Sequence, residues 1–130
     1  MLHFRLVFVC LLALASAPFA RAAEPWADDK LPVTDGVALW LDASRVEVAL
    51  KANNEKLPAS GKLAAWFDGS GHRRHLKQSD AKAQPTVAKF GGAAVVRFDG
   101  ADDALRFTGG PAELNAFTAF VVLAPRENPG

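Results

Sequence analysis

The chain has little of several features that often define a small protein. Its 130 residues include one cysteine, Cys10. A single thiol cannot close an internal disulfide or build a cysteine-rich zinc site, so apolar burial must supply most of the stability. The 15 basic side chains nearly balance the 14 acidic ones, for a net charge of +1. This balance disfavours nucleic acid and anionic membranes as partners, because both attract clustered Lys and Arg.

The longest apolar run is short and lies near the N-terminus. It covers residues 6–17, about a dozen positions, whereas a membrane-spanning helix needs ~20. Arg5 precedes the run, and Ala20 and Ala22 are the small residues that a signal peptidase reads. We predict a signal peptide over residues 1–22, with a retained membrane anchor as the alternative. The protein is then secreted, periplasmic or displayed at the cell surface, with no membrane attachment after cleavage.

Cleavage of this peptide would change the composition of the mature chain. It would remove Cys10, so that no thiol remained. Loss of Arg5 and Arg21 would leave 13 of the 15 basic residues against 14 acidic ones, a net charge of −1.

Residues 23–35 are predicted to form a leader or linker. Pro25, Pro32 and the acidic pair Asp28 and Asp29 suit an extended chain better than a packed element. Trp26 lies in this leader, and we expect it to be disordered.

Short apolar segments divided by Gly and Pro follow, without a sustained helical period. This pattern predicts an all-β antiparallel sandwich. The predicted strand regions are residues 36–42, 63–67, 85–88, 94–108 and 116–124. The last is the strongest, because it is rich in aromatic and β-branched residues. Residues 43–56 are interpreted as irregular and residues 68–84 as a polar loop.

The region 95–107 predicts two strands around an acidic turn. Val96 and Phe98 share one face of the first strand, and Leu105 and Phe107 share one face of the second. We expect all four side chains to point inward. The residues between the strands are typical of a turn, since Gly tolerates positive φ and Asp bonds its own backbone.

Three aspartates of this turn are the candidate metal ligands. Asp99, Asp102 and Asp103 offer the hard oxygen atoms that Ca²⁺ prefers. The favoured alternative is structural: Asp99 and Asp102 shape the turn, and Asp103 hydrogen-bonds a neighbouring loop. Asp68 is likewise interpreted as a loop-forming residue. No cofactor is required by the sequence, and Ca²⁺ is the one candidate.

Several motifs occur in a familiar order. They are Leu39 to Ser44, Trp66 to Gly71 followed by His75 and Gln78, Gln84 to Thr86, Val95 to Leu105, and Thr118 to Val122. Together they resemble the N-terminal half of a laminin-G-like domain of the concanavalin A-like lectin/glucanase superfamily. The resemblance implies a jelly roll of two antiparallel sheets, with Ca²⁺ often bound at its rim. Such folds usually have about 150 to 200 residues, so we expect the domain in residues 36–130 to be truncated at its C-terminus. The alternative is a complete small sandwich, for which ~100 residues suffice.

Aromatic and basic side chains have two interpretations each. Trp40 and Trp66 could stack on sugar rings, but core packing is favoured because each lies in an apolar segment. His72 and His75 are spaced for a shared metal only on a helix, so we interpret them as solvated loop residues.

The sequence predicts no catalytic activity. The Glu-x-Asp-x-x-Glu motif of the resembled glucanases and the Gly-x-Ser-x-Gly elbow of serine hydrolases do not occur. We expect a secreted, non-catalytic domain that binds a glycan or an extracellular protein. The alternatives are a structural or adhesive spacer of a larger cell-surface protein and an accessory fragment of a secreted glycoside hydrolase.

Overall fold

The computed structural model describes residues 22–31, 33, 35–107, 109 and 116–125. The predicted signal peptide lies outside these residues except for its last position. In the described part of the chain, short antiparallel strands dominate and helix is limited to one short segment and two 3₁₀ turns. The β-rich character predicted from the sequence is therefore confirmed, whereas the jelly roll stays a prediction.

Two antiparallel sheets organise the described residues. One has the strand order β1-β2-β5 and the other pairs β3 with β4. The strands are β1 (Ala65–Trp66), β2 (Leu76–Lys77), β3 (Thr86–Phe90), β4 (Ala93–Arg97) and β5 (Arg106–Phe107). Helix α1 (Val46–Ala52) follows a 3₁₀ turn at Ala43–Arg45, and a second 3₁₀ turn covers Ala81–Ala83.

The β3–β4 pair is a tight hairpin. Gly91 and Gly92 form its turn with φ of +57° and +87°, the left-handed values that a two-residue hairpin turn demands and that glycine adopts most readily. Val87 lies opposite Val96 across the hairpin. The strands predicted after Pro85 and around Val95 are both confirmed.

The acidic turn, which we define as residues 98–103, connects the two sheets. β4 precedes it and pairs with β3, whereas β5 follows it and pairs with β2, with Phe107 opposite Leu76. The two predicted strands therefore exist, but they do not pair with each other.

The prediction that residues 43–56 are irregular was wrong, because α1 lies there. Val46, Ala49 and Leu50 follow the helical spacing i, i+3, i+4 and are all buried. Asp42 begins the preceding 3₁₀ turn by accepting hydrogen bonds from the backbone N–H and hydroxyl of Ser44, at 2.8 and 2.7 Å. The period-2 pattern of Val46, Val48 and Leu50 had obscured the helix.

The predicted strand at residues 36–42 is absent. The backbone of Trp40 bonds outside any sheet: its N–H donates to the Asp68 carboxylate and its carbonyl accepts from the Gly69 N–H. Because these groups already have partners, they do not join a strand ladder.

No strand occurs at residues 116–125 either, although this region was predicted to contain the strongest strand. Its side chains are highly exposed, with Phe120 at 93% and Val122 at 101%. A strand requires a neighbour for its backbone hydrogen bonds, and none of the described residues pairs with this segment.

The core gathers around α1 and β1. Its buried apolar residues are Trp26, Val46, Ala49, Leu50, Leu63, Ala65 and Phe67. Val96 and Leu105 pack against this cluster as predicted. Phe98 and Phe107, also predicted to point inward, are 47% and 40% exposed, since the described residues place no second layer over them.

Trp26 corrects our expectation for the predicted leader. It is only 8% exposed and belongs to the core, so the expectation of disorder was wrong for this residue. In the described ranges, no helix has the length and apolar character to cross a membrane.

Candidate functional site

Asp99 organises the acidic turn. Its Oδ1 accepts backbone N–H bonds from Ala101, Asp102 and Asp103 at 2.9, 3.3 and 3.2 Å. The amide bonds, first that of Ala101, lower the pKa of the exposed Asp99 carboxyl below its ordinary value. Gly100 adopts φ +82° within the turn. Asp99 therefore shapes the turn, as the structural interpretation predicted.

Asp103 ties the turn to its surroundings. Its Oδ2 accepts the Asp99 N–H at 3.0 Å, and its Oδ1 lies 3.5 Å from Lys62 Nζ. The Asp103 side chain is only 3% exposed. This confirms the predicted bond to a neighbouring loop. Asp102 takes part in the turn through its amide, while its side chain is exposed.

The structure brings the three predicted metal ligands together. One oxygen from each of Asp99, Asp102 and Asp103 lies within 4.8 Å of the others, which is compatible with Ca²⁺–oxygen distances of about 2.3–2.6 Å. Three carboxylates supply fewer than the six to eight oxygens that Ca²⁺ takes. The Lys62 ammonium beside Asp103 also opposes a cation. The calcium site stays a prediction.

A cleft of about 370 Å³ lies beside the turn. It is lined by Lys62, Thr86, Arg97, Phe98, Asp99, Gly100 and Asp103. The Phe98 ring is half exposed and Arg97 is exposed. The cleft therefore combines an aromatic surface with hydrogen-bonding groups of both charges, the chemistry by which a protein orients a polar ligand.

A second aspartate-centred structure lies at residues 68–75, which we call the Asp68 loop. Asp68 is fully buried. Its Oδ1 accepts the backbone N–H groups of Trp40 and Ser70, both at 2.9 Å. Its Oδ2 accepts the Ser70 hydroxyl at 2.7 Å and the Arg74 N–H at 3.0 Å. The predicted loop-forming role of Asp68 is confirmed. The carboxylate can be buried because both of its oxygens accept hydrogen bonds.

The Asp68 loop packs closely against Trp40 and Ala27. A Cβ atom at Gly69 would lie 3.1 Å from Trp40 Cδ1 and 3.2 Å from the Ala27 Cβ. Glycine therefore allows the loop to approach two other segments of the chain. The Arg74 guanidinium donates to the Ala38 carbonyl at 2.6 Å and closes the same contact.

His75 is not the solvated loop residue that we predicted. Its Nδ1 accepts the Asp68 N–H at 3.1 Å, and its ring lies 4.9 Å from the Phe67 ring. Burial is the main cause that lowers the pKa of His75 from its ordinary 6.5. Among the described residues, His72 is half buried and forms no metal-binding group with His75.

Trp40 and Trp66 were both predicted to pack in the core, but only Trp66 packs against the described core cluster. Trp66 packs against the core as expected, and its indole N–H donates to the Asp42 carbonyl at 3.4 Å. Trp40 is half buried beside Gly69. Trp26 packs edge-on against Phe67, with ring centroids 6.1 Å apart. Sequence reasoning missed this contact, because the Pro and Asp residues around Trp26 are typical of an extended linker.

No family model, curated protein or solved structure matches this chain. The laminin-G-like assignment therefore stays a prediction from the sequence motifs.

Proposed function

We propose that the chain is a secreted, non-catalytic binding domain of the laminin-G-like type. The two antiparallel sheets support this proposal, together with the connection between them through the acidic turn. In a jelly roll, strands that are adjacent in sequence pass from one sheet to the other at the rim. Rim loops held by such a scaffold are common binding surfaces.

The observation that carries the proposal is the cleft beside the acidic turn. Phe98 offers an aromatic face for the C–H surface of a sugar or for an apolar side chain. Arg97 and Thr86 offer donors, and the Asp99 carboxylate offers an acceptor. These groups suit a hydroxylated ligand, and we propose a glycan first and an extracellular protein second.

The electrostatics of the turn favour binding over catalysis. A glycosidase needs a carboxylic acid whose pKa is raised, so that it can protonate the leaving group. Backbone amides instead lower the pKa of Asp99. Both oxygens of Asp103 face a donor, one the Asp99 amide and the other the Lys62 ammonium. The Asp99 carboxyl therefore lacks the raised pKa of a general acid.

A glycan array probed with the labelled full chain tests the proposal. We expect binding that falls by about tenfold or more in Phe98→Ala, since central aromatic contacts often contribute over 1 kcal/mol. Phe90→Ala is the matched control, because Phe90 is also exposed but lies outside the cleft. Arg106→Ala serves the same purpose for Arg97→Ala. Failure to bind glycans or extracellular proteins, or equal losses in test and control variants, would contradict the proposal.

Calcium dependence is measured separately. If Ca²⁺ binds the acidic turn, it raises the Tm of the full chain relative to a chelator, because an ion that binds the native state stabilises it. Asp102→Ala should abolish this rise, whereas Asp29→Ala, at an exposed aspartate outside the turn, should retain it. An unchanged Tm in the parent chain would remove calcium from the proposal.

The exposed apolar segment at residues 117–123 favours a second candidate, a structural or adhesive unit of a larger cell-surface protein. Phe117, Phe120 and Leu123 are 77%, 93% and 79% exposed. Surfaces of this kind commonly pack against another protein surface. Association that weakens on Phe120→Ser, without any glycan binding, would favour this candidate.

A further inference from the structure

Residues 22–31, the N-terminal segment, cover the Asp68 loop. The Glu24 N–H donates to the Gly69 carbonyl at 3.1 Å, and the Trp26 side chain is buried. Trp26 contacts Phe67 and lies 6.4 Å from the His75 ring, measured between centroids. The segment is thus attached to the loop through an aromatic cluster, a backbone bond and an ion pair between Glu24 Oε1 and Arg73 Nε at 3.9 Å.

His75 links this cluster to the buried aspartate. Its Nδ1 accepts the Asp68 N–H, which requires a free lone pair on that nitrogen. The ring is therefore neutral and carries its proton on Nε2. The Phe67 ring packs against the imidazole in a T-shaped arrangement.

We propose that His75 is a pH-sensitive latch for the N-terminal segment. When the imidazole takes up a proton at Nδ1, the lone pair is consumed and the acceptor becomes a donor. Two N–H groups, those of Asp68 and His75, then face each other. The ring must move away, and the cover that Trp26 provides over Phe67 and His75 is lost.

Four charged groups act on the His75 imidazole. The carboxylates of Asp68 and Glu24 favour its protonation, whereas Lys77 and Arg73 oppose it. Burial outweighs the carboxylates and lowers the pKa. The Asp68 oxygens already accept four hydrogen bonds, so they cannot turn to the imidazolium without leaving another donor unpaired. The latch therefore opens below the ordinary histidine pKa of 6.5.

The remaining attachments of the segment do not involve His75. Arg45 Nε donates to the Trp26 carbonyl at 2.8 Å, and Arg73 Nε lies 3.9 Å from Glu24 Oε1. Arginine stays protonated at all relevant pH values. Acid therefore opens the contacts around Trp26 and Glu24 locally, while the rest of the core, around α1 and β1, and the β3–β4 hairpin stay folded.

Hydrogen exchange of the full chain between pH 8 and 5, corrected for the intrinsic rate, tests the latch. We expect the N-terminal segment and the Asp68 amide to lose protection reversibly as the pH falls, while residues 86–97 keep theirs. The transition should vanish in His75→Asn, since an Asn oxygen supplies a non-titrating acceptor near the Nδ1 position. His72→Asn is the matched control and should retain it. Protection that does not change with pH, equal loss in the hairpin, or a transition surviving in His75→Asn would overturn the proposal.

Nitrogen NMR of the wild-type chain keeps the test decisive if His75→Asn does not fold. The His75 Nδ1 resonance should change from an acceptor to a protonated nitrogen, and the Asp68 amide and the Trp26 indole signal should move with the same midpoint. Different midpoints, or a His75 midpoint at or above 6.5, would contradict the latch.

Discussion

Two aspartates each organise one loop of this protein, and they differ in how far along the chain their hydrogen-bond donors lie. Asp99 accepts three bonds, all from residues at most four positions away, and it is exposed. Asp68 also accepts from the loop that follows it, but its fourth donor is Trp40, 28 residues earlier in the chain, and it is fully buried. The same side chain closes a local turn in one place and cross-links distant segments in the other.

The difference has an energetic consequence. A donor that loses its partner in an exposed turn can bond to water, whereas a buried donor cannot. We therefore expect the Asp68 loop to support the fold, and the acidic turn to tolerate change and remain available for binding.

The largest expected effect is that of Asp68→Ala. It leaves the donors of Trp40, Ser70 and Arg74 without acceptors, and each buried orphan costs about 1–3 kcal/mol. We expect the free energy of unfolding to fall by roughly 3–5 kcal/mol, measured by denaturant titration. Asp99→Ala is the control and should lose clearly less. Equal losses would break the comparison between the two loops.

Trp26→Ala tests whether the N-terminal segment belongs to the fold. Removing a buried aromatic side chain typically costs about 3–5 kcal/mol, and we expect the lower end because the segment lies at the surface of the core. Phe90→Ala, at a residue 61% exposed, should cost below about 1 kcal/mol. If Trp26→Ala resembled this control, the segment would contribute nothing to stability.

Phe98→Ala sharpens the description of the acidic turn. A fully buried Phe98 would cost about 3–5 kcal/mol to truncate. Because the side chain is 47% exposed, we expect about 1 kcal/mol by the area that it buries. Thermal unfolding gives the value, and a loss of 3 kcal/mol or more would mean that another surface covers Phe98 in solution.

The smallest expected effect is the acid response of the turn itself. The pKa of Asp99 is lower in the folded chain than its ordinary 3.8, so the ionised carboxylate favours the folded state. This contribution is present above pH 3.8 and is lost as the pH falls through the lower folded value. In Asp99→Asn the stability should therefore depend less on pH in this range. A parent and variant with parallel pH profiles would show that the amide bonds to Asp99 are not formed in solution.

Much of the acidic turn could be predicted from the sequence. Asp99 and Gly100 form the turn with bonds to residues at most four positions away, and the two glycines of the β3–β4 hairpin act just as locally. The pairing of the strands was harder to predict. β5 joins β2 and not β4, a choice that depends on contacts between segments far apart in sequence.

The surroundings of the Asp68 loop were harder to predict. The sequence indicated that Asp68 forms a loop. It did not indicate that Asp68 and Gly69 bond to the Trp40 backbone, so that residues 36–42 form no strand. His75 follows two arginines and resembles a solvated residue, yet Phe67 and the Asp68 amide engage it. At residues 116–125, apolar β-forming side chains predicted a strand that no described neighbour completes.

The sequence alone determined the β-rich character of the chain, the positions of its glycine and aspartate turns, and the three turn aspartates that make calcium a candidate. Only the tertiary structure decided that Trp26 is buried, that His75 accepts a backbone hydrogen bond, and that the two sheets meet through the acidic turn. The physical reason is the range of the interactions. Turns close through bonds between residues a few positions apart, whereas burial and strand pairing depend on which distant segments meet.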